Sequence, residues 1–161
     1  MKKVLLACCV AGLVAACAGN PFRGQGVEPG TPRDGVIARW GQPTRVAPLP
    51  AGERMQYSQQ PFGQSAWMVD LDAAGRVVRS RQVLTAAEFN RIEVGKWTRD
   101  DVEREFGPPA RIDAVSSWNG PIMTYRWSDG SDMFYFVYLD GRGVVQRAHP
   151  GMEFSNSPDR E

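Results

Sequence analysis

Beyond residue 17 the chain contains no cysteine; its three cysteines are Cys8, Cys9 and Cys17. The remainder therefore has no disulfide, no thiolate nucleophile and no cysteine ligand for a metal. Histidine is almost as scarce. His149 is the only one, beside Pro150, so any Ser-His-Asp arrangement would have to rest on it. Lysine is confined to Lys2, Lys3 and Lys96, and the 19 basic residues nearly balance 18 acidic ones. A chain this close to neutral lacks the basic footprint of a nucleic-acid binder. No phosphate loop, dinucleotide fingerprint or nucleophile elbow is present. These absences point away from an enzyme, and no cofactor or metal is expected.

What is there begins with an export signal. Met1-Lys2-Lys3 is followed by an apolar run from Val4 to Ala16, the pattern of a secretory leader over residues 1–16. Its end, Val14-Ala15-Ala16-Cys17, resembles the bacterial lipobox. That resemblance implies acylation of Cys17, and Ala18 in place of Asp implies outer-membrane retention. Residues 17–30 are rich in Gly and Pro without periodicity and read as a flexible tether of up to about 40 Å.

Two stretches of the remainder repeat one another. Pro32–Val46 aligns without gaps on Thr98–Ile112, with six identities: the Arg-Asp pair, Val36/Val102, Gly41/Gly107, Pro43/Pro109 and Arg45/Arg111. Each reads as a short helix with an acidic first turn, closed by glycine and followed by proline. In the second copy Thr98 is the cap; in the first, Thr31 is expected to cap and Pro32 to take the first helical position. Further on, Tyr57 matches Tyr125, Trp67-Met68-Val69 matches Tyr135-Phe136-Val137, and Leu71-Asp72 matches Leu139-Asp140. A repeat of this length fixes architecture more firmly than local propensity.

The expected fold is α+β: two tandem modules, each a helix followed by an antiparallel four-strand meander, with helices on one face of a continuous or adjacent sheet. The first module spans 31–83 and the second 84–148, leaving 149–161 as a disordered tail. Strands are expected near 44–48, 53–59, 65–71 and 76–83, then 111–117, 122–127, 132–139 and 143–148. The second module gains an extra helix at 85–92, opened by the capping box Thr85-x-x-Glu88.

Gly95, Thr98, Val102, Gly107 and Pro109, preceded by that extra helix and carried behind a lipobox, resemble the SmpA/OmlA lipoproteins, which include the BamE subunit of the barrel-assembly machine. Trp97 departs from the methionine usual in that motif. The tandem arrangement resembles the β-lactamase inhibitory protein. The first resemblance implies envelope assembly or maintenance, with an envelope protein as partner. The second implies an inhibitor or ligand-binding protein working through a concave sheet. Under both, the motif residues, with Val36, Gly41 and Pro43 of the first copy, are fold determinants.

Asp70 and Asp72 alternate before Gly75 like a calcium loop, but the third acid and distal glutamate are missing. The other copy has Tyr138 where Asp70 stands and keeps Asp140, so Asp72 and Asp140 read as turn residues. The sharper difference lies in the third strand. If Trp67, Val69 and Leu71 face the helices, the opposite face carries Ala66, Met68 and Asp70 in the first copy and Phe134, Phe136 and Tyr138 in the second. Trp127 on the neighbouring strand and Trp118 by an added turn are grouped with these aromatics. The first copy's outer face is expected to be wet, with Arg76, Arg79 and Arg81 guarding a solvated edge. The second copy's aromatics form a candidate contact surface, or are covered by the other module, the tail or a second copy of the chain.

Overall fold

A computed structural model of the protein describes residues 26–153. The leader, Cys17, most of the tether and the tail from residue 154 lie outside the described residues. Helix α1 (Arg33–Trp40) precedes strands β1 (Arg45–Leu49), β2 (Gly52–Ser58), β3 (Ala66–Asp72) and β4 (Val77–Gln82). Helices α2 (Ala86–Phe89) and α3 (Arg99–Phe106) precede β5 (Arg111–Asp113), β6 (Ile122–Ser128), β7 (Asp132–Leu139) and β8 (Val145–Met152). The fold is α+β, with two antiparallel four-stranded sheets ordered β1-β2-β3-β4 and β5-β6-β7-β8. They are separate sheets: β4 and β5 are not paired, because the chain between them is spent on α2 and α3.

The two halves repeat at the level of single hydrogen bonds. Gly41 and Gly107 turn the chain out of α1 and α3, both at φ +80°, which only glycine adopts without strain. Each glycine carbonyl then accepts a bond from a buried tyrosine, Tyr57 Oη at 3.0 Å and Tyr125 Oη at 2.9 Å. Asp72 and Asp140 close equivalent turns, each Oδ1 accepting two backbone N–H groups two and four residues ahead. Backbone hydrogen bonds into Asp140, from Val144 before Arg142, hold its carboxyl below the ordinary range. Both third strands carry an irregularity before their final leucine, at Asp70/Leu71 and Tyr138/Leu139.

Helix α3 starts as its sequence says. Thr98 accepts from the Asp101 N–H, and Asp101 accepts in return from the Thr98 N–H at 2.8 Å, which lowers the Asp101 pKa. Helix α1 does not: Pro32 is its N-cap, with no side-chain cap bond. Thr31 sits one residue too early, its carbonyl committed to Val77 N and its hydroxyl to Glu28 O. The α2 cap is present, with Thr85 Oγ1 accepting from Glu88 N at 3.3 Å.

Several boundaries move, and the extra helix expected over 85–92 is the single turn Ala86–Phe89. The last strand runs to Met152, so residues 149–152 pair with Met133–Phe136 instead of opening a tail. Pro150 is tolerated because β8 is an edge strand with no partner beyond it. Residues 26–30 are not free tether: Val27 is 5% exposed in the cluster of Val36, Trp40, Tyr57 and Trp67, and Gly30 N bonds Val77 O at 2.7 Å. Strand β5 stops at Asp113, four residues short of expectation, as the chain leaves the sheet towards Trp118.

The buried residues fall into two clusters. One joins Val36 and Trp40 of α1 to Met55, Tyr57, Val69, Leu71 and Val77. The other joins Phe89, Val102 and Phe106 to Met123, Tyr125, Val137, Leu139 and Val145, and takes in Ala66, Met68, Val83 and Leu84 from the first half. The expectation of a wet outer face on the first sheet is therefore overturned. Its residues form the seam with the second half. Arg54 bonds Asp70 at 2.5 and 3.0 Å, Arg104 O at 3.0 Å and Glu105 at 2.9 Å. Gln56 Nε2 donates to the carbonyls of Glu103 and Arg104 at the end of α3. Arg81 is not solvated either; it bonds both Glu88 and Glu105. Gln60 closes the rim: its side-chain amide pairs with both the N–H and the C=O of Arg126, satisfying the β6 edge that short β5 leaves open.

Candidate interaction surface

The second sheet turns Met123, Tyr125, Trp127, Tyr135, Val137 and Leu139 into the core. Because side chains alternate, its other face carries Ile122, Thr124 and Arg126 from β6, Phe134, Phe136 and Tyr138 from β7, and Arg147 and His149 from β8. Phe134, Phe136 and Tyr138 are where the sequence placed them, and each is half-buried. Their rings form a chain. Phe134 lies 5.9 Å from Phe136, Phe136 lies 5.6 Å from His149, and His149 stacks 5.4 Å from Tyr138. Trp118 completes it edge-on to Tyr138 at 5.2 Å, anchored by Nε1 donating to Leu139 O at 2.8 Å. Gly151 makes room for the row: an added Cβ there would sit 2.7 Å from the Phe136 ring.

Trp127 does not belong to this surface. It is 4% exposed and meets Phe89 edge-on at 5.6 Å. Two residues from Tyr125, it shares that tyrosine's inward face, and Arg126 is the outward neighbour. The parity of β6 was available in the sequence and would have placed it correctly.

Cations frame the aromatic row. The Arg147 guanidinium lies 3.9 Å over the Tyr138 ring and 5.4 Å from Trp118; that of Arg111 lies 4.8 Å over Phe134. Arg111 is also paired with Asp113 at 2.7 Å. Arg147 has no carboxylate partner among the described residues. Between β5 and β7 the surface is concave, about 380 Å³, with Ile122, Phe136 and Tyr138 as floor and Ala114 and Val115 as wall. That is near the small end of ligand sites, which span about 300–1,000 Å³. A deeper-seated region is not more reactive. Asp70 is consumed by Arg54, Asp72 by its turn, and no cluster suited to holding a metal occurs among the described residues. His149, expected to open the tail, is half-buried in β8 between Phe136 and Tyr138.

Arg147 and His149 were missed because they were assigned to the end of the last strand and to the tail. The repeat could have found them, since Arg79 and Arg81 occupy the equivalent positions. The lipidation residue, Cys17, lies outside the described residues.

No family model matches the chain, and no curated protein does. Among solved structures it is similar to a DUF4309 family protein (YjgB) from Bacillus subtilis. The two share 16% identity over 76% of this chain and 78% of that one, with a TM-score of 0.31. A likeness this loose carries no argument about fold or function.

Proposed function

We propose that the protein is an outer-membrane lipoprotein, acylated at Cys17 and facing the periplasm, that works as a non-enzymatic protein-docking module in envelope assembly or maintenance. Each half is read as a BamE-like module, its helices on one face of its own sheet. The supporting observations are the shared clusters and the paired tyrosine-to-glycine bonds. The observation that carries the functional reading is the half-exposed row Trp118, Tyr138, Phe136 and Phe134 on a sheet face with no covering layer among the described residues. Aromatics and arginine dominate the energetic centres of protein interfaces. The required partners are the membrane, through the lipid, and an envelope protein; neither nucleic acid nor a small-molecule cofactor enters this reading.

The alternative, an inhibitor or ligand-binding protein using one concave sheet, is less favoured. The described strands form two sheets, and the first sheet's outer face is filled by Arg54, Gln56, Met68 and Asp70 packed into the seam.

Two measurements test the proposal. Cys17→Ser should move the protein from the outer-membrane fraction to the soluble periplasm; unchanged fractionation would refute the anchor. A photo-crosslinking residue at position 136 should trap a protein in the native envelope, and Phe136→Asp should abolish capture of that protein with the thermal midpoint little changed. No capture would refute the docking role.

A further inference from the structure

The outer face of the first sheet already has an occupant, and the repeat carries its position onto the second sheet. Positions 68 residues apart are equivalent: Met68 with Phe136, Arg79 with Arg147, Arg81 with His149. On the first sheet that face receives the helical layer of the next module. Met68 shares a buried cluster with Phe89 and Phe106. The last carbonyls of α3 receive Gln56 and Arg54, and the carboxylates of Glu88 and Glu105 sit on Arg81, above the last strand. A helix end is the negative end of its dipole, so basic and amide donors suit it.

On the second sheet no described residue fills that position, and the donors differ: Arg54, Gln56 and Arg81 are replaced by Ile122, Thr124 and His149, so the face is more apolar and its cation is Arg147, the equivalent of Arg79. Phe136 presents more apolar surface than Met68. Arg147 keeps a cation above the last strand, and its guanidinium has no hydrogen-bond acceptor among the described residues. Stacked on Tyr138, it is held in place before any partner arrives, which lowers the ordering cost of a bidentate contact to a carboxylate. The face is four strands wide, roughly 14 Å at about 4.8 Å per strand. One helix of about 10–12 Å diameter covers it.

The occupant could in principle be the α1 layer of a second copy, stacking head to tail. Charge argues against it. The residue of α1 equivalent to Glu105 is Arg39, which such stacking would bring onto His149, the equivalent of Arg81, on a face that already carries Arg147. The array would also be open-ended, a heterologous contact that does not close.

We propose that the aromatic face of the second sheet receives an amphipathic helix of another protein, apolar along the side facing Phe136 and carrying Asp or Glu along the edge that lies over Arg147. This inference rests on the docking role proposed above and names the class of partner.

The test uses the secreted chain carrying Cys17→Ser and two synthetic helical peptides. Both have the same leucine stripe, flanked in one by glutamates and in the other by lysines, with helicity checked by circular dichroism. The glutamate peptide is expected to bind and to shift the side-chain NMR signals of Ile122 and Tyr138. Arg147→Glu, at an exposed site that should not disturb folding, should weaken it about tenfold and strengthen the lysine peptide by a similar factor. Equal affinity for both peptides, a preference for lysine, or binding by neither would overturn the proposal. Concentration-dependent self-association in sedimentation, lost in Phe136→Ser, would place a second copy there and overturn it too. The envelope crosslink separates the two readings. Capture at position 136 that is indifferent to Arg147→Glu retains docking and rejects the acidic helix, whereas absence of capture rejects docking itself.

Discussion

Glu105→Gln should loosen the seam between the two halves, and the structure says by how much. Glu105 accepts from Arg54 and Arg81, each at 2.9 Å, and its side chain is only 13% exposed. The two guanidinium side chains are 5% and 11% exposed. Breaking a buried pair from one side costs about 3–5 kcal/mol, mainly through the stranded charge. Here both arginines keep a second carboxylate, Asp70 for Arg54 and Glu88 for Arg81. Glutamine also retains an acceptor oxygen. The expected loss is therefore at or below the low end of that range, about 2–3 kcal/mol, or roughly 4–12 °C in thermal midpoint at about 2–4 °C per kcal/mol. The loss should depend on pH. Burial pushes the Glu105 carboxyl up, but Arg54 and Arg81 together outweigh burial and hold it below the ordinary range. Over that window the unfolded chain binds the extra proton. The stabilisation is thus complete above the unfolded value of about 4.3 and fades as pH falls through the folded one. Urea unfolding of both proteins should show the full gap at neutral pH and a narrower one in acid. A gap under about 0.5 kcal/mol at neutral pH, comparable to an exposed pair, would refute the buried-seam argument. So would a gap that does not change in acid.

Burial raises the Tyr57 phenol to about 12 and the fully buried Tyr125 well above its usual value, so stability should fall as pH rises from about 10 through 12; phenolate absorbance appearing before unfolding would contradict this. Gly120→Ala should cost about 3 kcal/mol or more, since φ is +152° and the new Cβ would lie 2.1 Å from Leu139 O; Gly52→Ala, 2.0 Å from Leu71 O, should behave alike in denaturant midpoints. Trp127→Ala should destabilise by about 3–5 kcal/mol through the cavity it leaves, whereas Phe134→Ala on the outer face should cost under about 1.5 kcal/mol; equal losses by calorimetry would mean the outer face is core.

The repeat was legible because the residues that build a module are short-range signals. Gly107 after an eight-residue helix, Asp140 before Gly143 and alternating strands each announce themselves locally, and the second copy doubles every signal. Strand β7 coincides with expectation for the same reason. What stayed hidden depended on the partner of a face. Nothing within β3 distinguishes an Ala66-Met68-Asp70 face open to water from one buried under α3. The pairing of Arg54 with Glu105 spans 51 positions and leaves no periodic trace. Thr31 looked like a cap because threonine is a good one, but its carbonyl was required by Val77. Val27 and β8 past Ala148 escaped because glycine, proline and polar residues surround them. Within the candidate surface, the row on β7 was visible, Trp127 was misassigned by one step of parity, and His149 was hidden by the misplaced end of the last strand.

The two copies diverged in a way that follows from what each outer face must do. The first face meets one fixed neighbour, so its charges can be matched individually: Asp70 to Arg54, Arg54 to Glu105, Arg81 to Glu88 and Glu105. Such a seam adds little net stability over an apolar one, because desolvation consumes most of the gain. It does penalise sliding, since displacement of α3 along the sheet would strand several buried charges together. A purely apolar seam would tolerate that slip. The second face meets the described first half only at its rim, where Arg126 donates to the carbonyls of Pro61 and Phe62, and otherwise stands in water and must remain soluble there. Half-buried rings supported by one another and by Arg111 and Arg147 meet that condition, keeping apolar area ready while cations hold it in water. A partner there would gain from apolar burial first and from Arg147 second. Affinity should then be set by the fit to Phe136 and Tyr138, and orientation by the charge over β8.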